Sequence, residues 1–163
     1  MREELYSLSQ SVNDALRKRG FTLSVAESCT GGGIAAAVTS VPGSSEIFKG
    51  GVVAYANEVK RDILSVSEEN LQTYGAVSEA VVRQMVAGVA SIMHTTCAVA
   101  TSGIAGPGGG SPDKPVGTVW TAFLVDGTVK TCKLTLEDCG REENIKSAIL
   151  ETLKIFYSLL CGS

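Results

Sequence analysis

Apolar residues recur at three- and four-residue steps near both ends of the chain. This spacing puts them on one face of a helix, so it predicts an amphipathic helix at each end. The first helix should end at Gly20, which follows two basic residues, and the last should run from Arg141 to Leu160. The two apolar faces consist of Leu5, Leu8, Val12 and Leu16, and of Ile145, Ile149, Leu153, Phe156 and Leu160.

Three short segments between these helices are rich in β-branched and small apolar residues, as buried strands are. They cover residues 22–26, 51–55 and 97–101. Two longer runs of the same kind, 116–125 and 128–136, flank an Asp-Gly dipeptide that favours a tight hairpin turn. The pattern therefore predicts three separate strands followed by one hairpin.

Helix-start signals precede most of the segments that join the strands. Asn57, Ser67 and Ser78 each stand before an acidic residue and are of types that cap helix N-termini. Strands that alternate with helices favour parallel pairing through right-handed crossovers, whereas the hairpin adds antiparallel strands. The sequence therefore predicts one α/β domain over residues 1–163, a three-layer α/β/α sandwich with a mixed, mostly parallel sheet and a β-hairpin in its C-terminal half. Its inner helices should cover 34–39, 58–64, a segment after Ser67, and 79–95.

The composition narrows the class of protein. Hydrophobic residues make up 44% of the 163 residues and charged residues 19%, which is typical of a packed globule. A net charge of −3 argues against binding to nucleic acid or to an anionic membrane, and no apolar run could span a bilayer. The N-terminal residues lack the apolar stretch of a secretory signal, and an odd number of cysteines, five, favours reduced thiols. We therefore expect a cytoplasmic protein.

The residue inventory excludes several kinds of site. His94 is the only histidine, so a His-rich zinc site is excluded and a Ser-His-Asp triad has a single candidate base. Its place near the end of a predicted helix favours a capping or surface role. No C-x-x-C pair occurs, and the glycine-rich run 103–110 matches neither the P-loop nor the Rossmann pattern. Any phosphate must therefore be held by a less common type of loop.

Small polar residues follow all three of the separate predicted strands. They occupy residues 27–32, 55–57 and 101–103. Ligands of open α/β sheets bind at the carboxyl ends of parallel strands, so these segments should lie together. Each segment alone could be an ordinary turn or helix cap, because serine, threonine, asparagine and glycine are common there. The three together favour a binding or catalytic site.

Ser28 is the candidate nucleophile of this site. It lies between a strand and a glycine-rich helix start, where backbone amides can stabilise an oxyanion. A serine needs a base, and Lys60 is the best placed candidate if burial keeps its amine neutral. As a lone lysine it could equally be a solvated surface charge. Cys29 is a rival nucleophile, although a buried and unreactive thiol is the favoured interpretation.

The glycine-rich loop suggests how a phosphate could be bound. Residues 103–110 offer backbone amides that could form an anion nest. Lys114 and Arg141 bring positive charge near the loop, which would suit a phosphomonoester, although a flexible lead-in to the hairpin fits the same residues. Tyr55 could stack on a flat cationic ring.

Five segments of the chain are long and specific enough in sequence to compare with known families. They are AESCTGG from Ala26, GGVVAY from Gly50, GAVSE from Gly75, TSGIAGP from Thr101 and KPVGTVW from Lys114. In this order they closely resemble the CinA C-terminal domain family. The resemblance runs from about Leu5 to the last predicted helix. It is greatest to stand-alone members that lack the partner domain fused in front of this region in full-length CinA.

The resemblance implies an amidohydrolase that converts nicotinamide mononucleotide and water to nicotinate mononucleotide and ammonia. It implies Ser28 as nucleophile and Lys60 as general base, with the amides of residues 30–32 as oxyanion donors and neither a metal nor an organic cofactor. The chain departs from the family at Ala56, where serine is frequent, and at Lys146, near which many relatives carry an arginine. The predicted substrate contacts are Thr30, Gly31, Gly32, Tyr55, Asn57, Thr101, Ser102, Gly103, Gly106 and Arg141.

The residues leave other functions open. A nucleotide-sensing or competence-associated module would bind the ligand without turnover, and an amidase could act on another pyridine or nucleotide amide. The polar loops could also serve the fold alone. The expected partner is a small nucleotide substrate, with no nucleic acid and no membrane, and an exposed aromatic residue of the hairpin could support a homo-oligomer.

Overall fold

A computed structural model describes residues 1–162 of the chain. A short 3-10 turn at Ser44–Glu46 lies between the second helix and the second strand. The elements in chain order are α1 (Arg2–Arg19), β1 (Leu23–Glu27), α2 (Gly33–Thr39), β2 (Phe48–Val53), α3 (Asn57–Leu64), α4 (Glu68–Tyr74), α5 (Glu79–Met93), β3 (Cys97–Gly103), β4 (Thr118–Val125), β5 (Thr128–Thr135) and α6 (Arg141–Leu160).

Five strands form one sheet in the order β2-β1-β3-β4-β5. β1 pairs in parallel with β2 and β3, whereas β4 pairs antiparallel with β3 and β5. Four of the five strands therefore point the same way, and only β4 is reversed. This confirms the predicted mixed, mostly parallel sheet, and it brings the carboxyl ends of β1, β2 and β3 to one edge.

Helices cover both faces of the sheet. α1, α2 and α6 pack on one face, where Val25 of β1 and Phe156 of α6 belong to the same apolar cluster. α3, α4 and α5 pack on the other face, where Ala26 of β1 and Met85 of α5 share a second cluster. Successive strand residues point to opposite faces, so residues 25 and 26 serve different layers. The result is the predicted three-layer α/β/α sandwich.

β2 begins earlier than the sequence pattern predicts, at Phe48, and it ends at Val53 rather than at residue 55. Two glycines hide its start, because glycine is depleted in strands. A Cβ on Gly51 would lie 2.5 Å from the Val25 side chain and 2.7 Å from the Val25 carbonyl oxygen. The close approach of these two backbones therefore requires a glycine inside the strand.

Two of the three predicted helix caps are present. The side chains of Ser67 and Ser78 each accept a hydrogen bond from the backbone amide three residues later. The expectation that Asn57 caps α3 is wrong, because α3 begins at Asn57 and its N-cap residue is Ala56. An alanine offers no side-chain acceptor, so the first turn of α3 lacks the cap that a serine would provide.

Residues with left-handed backbone conformation end two of the long helices. Gly20, with a φ of 67°, follows α1 as the sequence predicts. His94, with a φ of 54°, follows α5, which ends at Met93 rather than at residue 95. Its backbone amide donates to the carbonyl of Ala90. His94 is therefore a helix C-cap, in agreement with the capping role expected for it.

Membrane-spanning helices and disulfide bonds are both absent from residues 1–162. None of the helices in this range combines the length and the apolar character needed to cross a bilayer. All five cysteines are free thiols, two of them buried, one half-buried and two exposed.

Candidate active site

The carboxyl ends of β1, β2 and β3 surround a cleft of about 270 Å³. The loop after β3 and the start of α6 complete its wall. A larger cavity, of about 760 Å³, lies between α1 and α2 and contains none of the predicted site residues. The 270 Å³ cleft brings together most of those residues, namely Ser28, Tyr55, Asn57, Lys60, Ser102, Gly103, Gly106 and Arg141.

Ser28 and Lys60 are in direct contact at the bottom of this cleft. The distance from Lys60 Nζ to Ser28 Oγ is 3.1 Å. Lys60 is only 1% exposed and Ser28 is 8% exposed. Burial lowers the pKa of Lys60, because the ammonium form loses its hydration, although the nearby Cys29 and Glu58 act in the opposite direction. The lysine is therefore not the solvated surface charge that the sequence also allowed.

Two backbone carbonyls orient the Lys60 amine. Its Nζ lies 2.8 Å from the carbonyl oxygen of Ala54 and 3.1 Å from that of Tyr55. A carbonyl oxygen only accepts hydrogen bonds, so a neutral amine must direct its two hydrogens at these oxygens. Its lone pair then faces Ser28 Oγ, which can donate its hydroxyl proton. This arrangement suits a base that removes the proton of Ser28.

Cys29 is a weak competitor for the role of nucleophile. Its side chain is buried, and this burial, with a further contribution from the charge of Glu27, raises the pKa of its thiol to about 12. Only a thiolate is a strong nucleophile, so this cysteine is unreactive near neutral pH. The structure agrees with the interpretation of Cys29 as a buried, inert thiol.

A buried carboxylate supports the turn that carries Ser28. Glu27 is 1% exposed, and its Oε1 accepts hydrogen bonds from Thr30 Oγ1 at 2.6 Å and from the Ile34 amide at 2.8 Å. Its Oε2 accepts from the Ala35 amide at 3.1 Å, and Thr30 Oγ1 lies 2.8 Å from Thr101 Oγ1. This role was not predicted from the sequence, although an acidic residue shortly before a helix start is a usable signal.

Four of the predicted substrate contacts do not line the cleft. Thr30 and Thr101 are buried and hydrogen-bonded to each other. Gly31 and Gly32 form the tight turn before α2, in which the Gly31 amide donates to the Ser28 carbonyl at 3.0 Å. The turn itself uses the Gly31 amide, which leaves the amides of Thr30 and Gly32 as the candidate oxyanion donors.

Arg141 and Tyr55 meet at the mouth of the cleft. Arg141 Nη2 donates to Tyr55 Oη at 2.8 Å, and Nη1 donates to the Gly106 carbonyl at 2.7 Å. Tyr55 is 58% exposed, so its ring is open to a ligand. The structure does not bring Lys114 to the cleft, because its Nζ binds the carbonyl of Tyr74 at 2.6 Å.

Asn144 on α6 holds the loop after β3, which forms part of the wall of the cleft. It is 2% exposed, and its Nδ2 donates to the carbonyl of Ala105 at 3.0 Å and to Asp138 Oδ1 at 2.9 Å. Its Oδ1 accepts from the amide of Cys139 at 2.9 Å. The hydrogen bond from Asn144 Nδ2, together with one from the Gly140 amide, lowers the pKa of Asp138. Nothing in the local sequence signals this role, since Ala105 lies far away along the chain.

A family model described as the CinA C-terminal domain matches residues 5–160. The chain belongs to the CinA C-terminal domain family. This membership confirms the family that the sequence motifs suggested, and it covers the whole of the cleft.

Proteins related to this member of the CinA family carry two kinds of name. Nicotinamide-nucleotide amidohydrolase PncC of Enterobacter agglomerans is 50% identical over 132 residues, which are 80% of this chain and 80% of that protein. The protein of the same name from Escherichia coli strain K12 is 48% identical over 136 residues, 83% of this chain and 81% of that one. A CinA-like protein of Cytophaga hutchinsonii is 45% identical over 149 residues, 91% of this chain but only 35% of the relative.

Solved structures of CinA proteins have the same fold. The competence/damage inducible protein CihA from Agrobacterium tumefaciens has a TM-score of 0.92 at 39% identity, covering 96% of this chain and 95% of that one. A CinA superfamily protein from Klebsiella pneumoniae 700603 has a TM-score of 0.93 at 34% identity, covering 98% and 99% of the two chains. The α/β architecture is thus that of the family.

Proposed function

We propose that this chain is an amidohydrolase that converts nicotinamide mononucleotide and water to nicotinate mononucleotide and ammonia. The observation that carries the proposal is the 3.1 Å contact between Lys60 Nζ and Ser28 Oγ inside the cleft. The two relatives named nicotinamide-nucleotide amidohydrolase support the choice of substrate, because their similarity spans at least 80% of each chain.

In the first half of the reaction, Ser28 Oγ attacks the carboxamide carbon while its proton passes to neutral Lys60 Nζ. A C–O bond forms, and the carbonyl π electrons move to oxygen to give a tetrahedral oxyanion. The Lys60 ammonium then protonates the amide nitrogen, the C–N bond breaks and ammonia leaves. An ester between Ser28 and the nicotinoyl group remains.

In the second half, a water molecule attacks this ester while Lys60 accepts its proton. The new tetrahedral intermediate collapses, and the Lys60 proton returns to Ser28 Oγ as nicotinate mononucleotide departs. The two carbonyls that accept hydrogen bonds from Lys60 Nζ stay in place throughout. They hold the amine in one orientation for both proton transfers.

Substrate recognition is assigned to the mouth of the cleft. The pyridinium ring of the mononucleotide carries a positive charge and can stack on the exposed face of Tyr55. Arg141 supplies positive charge for the phosphate, together with backbone amides of the glycine-rich loop at Gly108 and Gly109. The pyridinium also withdraws electrons from the carboxamide, which makes its carbon a better electrophile than that of uncharged nicotinamide.

Ammonia release from nicotinamide mononucleotide tests the proposal, measured on the parent chain and on Ser28→Ala and Lys60→Met. We expect turnover by the parent and a loss of at least about 1000-fold in both variants, because nucleophile and base act as a unit. Lys154→Met, at an exposed lysine of α6, is the matched control and should keep full activity.

The outcomes separate this enzyme from the other candidate functions. Turnover that survives Ser28→Ala would contradict a serine nucleophile, and release from nicotinamide riboside but not from the mononucleotide would contradict the substrate. A folded parent that binds the mononucleotide without releasing ammonia would identify a nucleotide-sensing module instead.

A further inference from the structure

Ser102 carries a hydroxyl that is not used by the fold. It lies in β3, is 1% exposed and lines the cleft beside Ser28 and Lys60. The other hydroxyls around it are engaged, since Ser28 contacts Lys60 while Thr30 and Thr101 bind each other. Ser102 Oγ takes part in none of the side-chain hydrogen bonds within residues 1–162, and it is not one of the fully enclosed atoms without a partner, which are Asn13 Oδ1 and Thr152 Oγ1, so this hydroxyl opens into the cleft.

The register of the sheet places Ser102 next to the nucleophile. β1 and β3 are parallel, Glu27 pairs with Thr101, and the Ser28 amide donates to the Thr101 carbonyl at 3.0 Å. Ser28 and Ser102 are therefore the next pair of neighbours, on strands about 4.8 Å apart. Both lie two residues after an alanine of the cluster that packs against α3 and α5, so their side chains share that face.

The turn after β1 leaves the amides of Thr30 and Gly32 as candidate oxyanion donors but uses several of its other amides itself. A tetrahedral oxyanion is stabilised by hydrogen-bond donors aimed at its oxygen in a site from which water is excluded. The Gly31 amide donates to the Ser28 carbonyl, and the amides of Ile34 and Ala35 donate to Glu27. Ser102 Oγ is a free donor in the wall of the cleft, beside the atom that attacks the substrate.

We infer that the Ser102 hydroxyl donates a hydrogen bond to the carboxamide oxygen as that oxygen becomes the oxyanion. This inference rests on the proposed function and adds a catalytic residue to it. Ser102 keeps its proton throughout, because the proton of Ser28 travels by way of Lys60 to the departing nitrogen. The bond to Ser102 is strongest in the transition state, so its loss should lower kcat far more than it raises KM.

Steady-state ammonia release by Ser102→Ala tests the inference. We expect kcat to fall about 100-fold with KM little changed, since removal of one oxyanion donor typically has this size. Ser102→Thr keeps the hydroxyl and should retain most of the activity. Ser24→Ala is the matched control, because Ser24 is also a fully buried serine of this sheet but binds Thr95 Oγ1 at the far end of β1. Thermal unfolding of each variant verifies that it is folded.

A transition-state mimic gives a second readout. The aldehyde analogue of nicotinamide mononucleotide accepts Ser28 Oγ at its carbonyl carbon and forms a hemiacetal, whose oxygen occupies the oxyanion position. Ser102→Ala should weaken binding of this aldehyde by about the factor by which it lowers kcat/KM. Binding of the carboxamide substrate to the Ser28→Ala chain should be the same with and without Ser102→Ala.

The results that would overturn the inference differ from those that would overturn the proposed function. A Ser102→Ala chain with the parental kcat, or with a change in KM alone, contradicts the role of Ser102 and leaves the amidohydrolase intact. Unchanged binding of the aldehyde has the same meaning. A parent chain that releases no ammonia overturns both proposals.

Discussion

Among the residues of the cleft, Lys60 has the properties that depend most on its surroundings in the fold. A lysine in solution is protonated at neutral pH, and burial in this fold lowers the pKa of Lys60. Its position one turn into α3 inserts the amine between the ends of β1 and β2. The carbonyls of Ala54 and Tyr55 then leave one direction, toward Ser28, for the lone pair.

The pH profile of the parent chain should therefore show a rising limb set by Lys60. Only the neutral amine accepts the Ser28 proton, so log kcat/KM rises with unit slope up to the pKa of Lys60 and is flat above it. Because burial lowers this pKa, the plateau should begin below about 10.4, the ordinary value for lysine. Ammonia release measured across the range of pH in which the chain stays folded tests this.

The same lowered pKa predicts how stability depends on pH. Between the lowered pKa of Lys60 in the folded chain and its ordinary pKa, the unfolded chain binds more protons, so stability should rise with pH in this window.

Cys29→Ala should keep the rising limb of activity, because the thiol is not the base. A profile without a rising limb, or one that moves with Cys29, would contradict the role of Lys60.

Residues with chemistry of their own could be predicted from the sequence, and residues that act through others could not. Ser28 and Lys60 stood out because a nucleophile requires a base. Glu27 and Asn144 were missed, because their importance lies in contacts with backbone groups that only the fold brings near. The loss of the Gly31 amide to its own turn was equally invisible in the sequence.

At the scale of elements, the position of α3 depends on a glycine of α5. A Cβ on Gly88 would lie 2.0 Å from the Leu64 carbonyl oxygen, at the end of α3. The two helices approach so closely that no side chain fits between them. Because α3 carries Lys60, this contact also fixes the depth at which the amine enters the cleft.

Gly88→Ala should therefore destabilise the chain, although alanine is the better helix former. In an open helix the change would add about 0.5–1 kcal/mol of stability. Here the new methyl group must push α5 away from α3, and we expect a loss of about 1–3 kcal/mol in urea unfolding. Ala87→Gly, at an exposed position of the same helix, is the control for helix propensity and should cost about 1 kcal/mol. A Gly88→Ala chain more stable than the parent would contradict the close contact.

The uncapped start of α3 offers a change in the opposite direction. Ala56 has the extended backbone of an N-cap residue, with φ of −87° and ψ of 150°, but no acceptor for the free amides of the first turn. Ala56→Ser should raise the free energy of unfolding by about 0.5–2 kcal/mol. Ala56→Gly should also raise it, to within a few tenths of a kcal/mol of the serine chain, and equal stability of the serine and alanine chains would show that the cap does not form.

The spacing of apolar residues predicted the limits of the helices better than those of the strands. α1 ends where it was predicted to end, and α6 begins and ends at its predicted limits, because each buries a long apolar face against the sheet. The start of β2 was not predicted from the sequence. The close backbone contact at residue 51 requires a glycine, and a glycine has no side chain that would indicate a strand. The error at α3 is of the same kind, since an asparagine suited to capping stands one residue too late.

At the scale of the whole molecule, the cleft is assembled from distant parts of the chain by the sheet order. β1 and β3 are neighbours, so the turn with Ser28 meets Ser102, while β2 on the other side supplies the loop that leads into α3. Arg141 then arrives from the last helix. The departure from the family at Lys146 does not touch this assembly, because Lys146 pairs with Glu142 and Glu143 on α6 itself.

Asn144 connects the last helix to the cleft, and Asn144→Asp should break this connection at neutral pH. A carboxylate cannot donate to the Ala105 carbonyl, and it would repel Asp138, with which the amide now hydrogen-bonds. The adjoining Arg141 and its contact with Gly106 should shift as a result. We expect KM for the mononucleotide to rise about tenfold or more, with a smaller change in kcat, because Ser28 and Lys60 lie on other elements.

The stability of the Asn144→Asp chain should depend on pH in a characteristic way. Burial beside Asp138 raises the pKa of the new carboxyl above its value in the unfolded chain. The folded state then binds more protons than the unfolded state, so the deficit relative to the parent is smallest at low pH and grows as pH rises through the raised pKa. Urea unfolding between pH 4 and 8 measures this difference. Asn70→Asp adds the same charge in the first turn of α4 and should show neither the pH-dependent deficit nor the rise in KM. A deficit independent of pH would mean that the carboxyl faces solvent and that α6 is not held to the glycine-rich loop by this side chain.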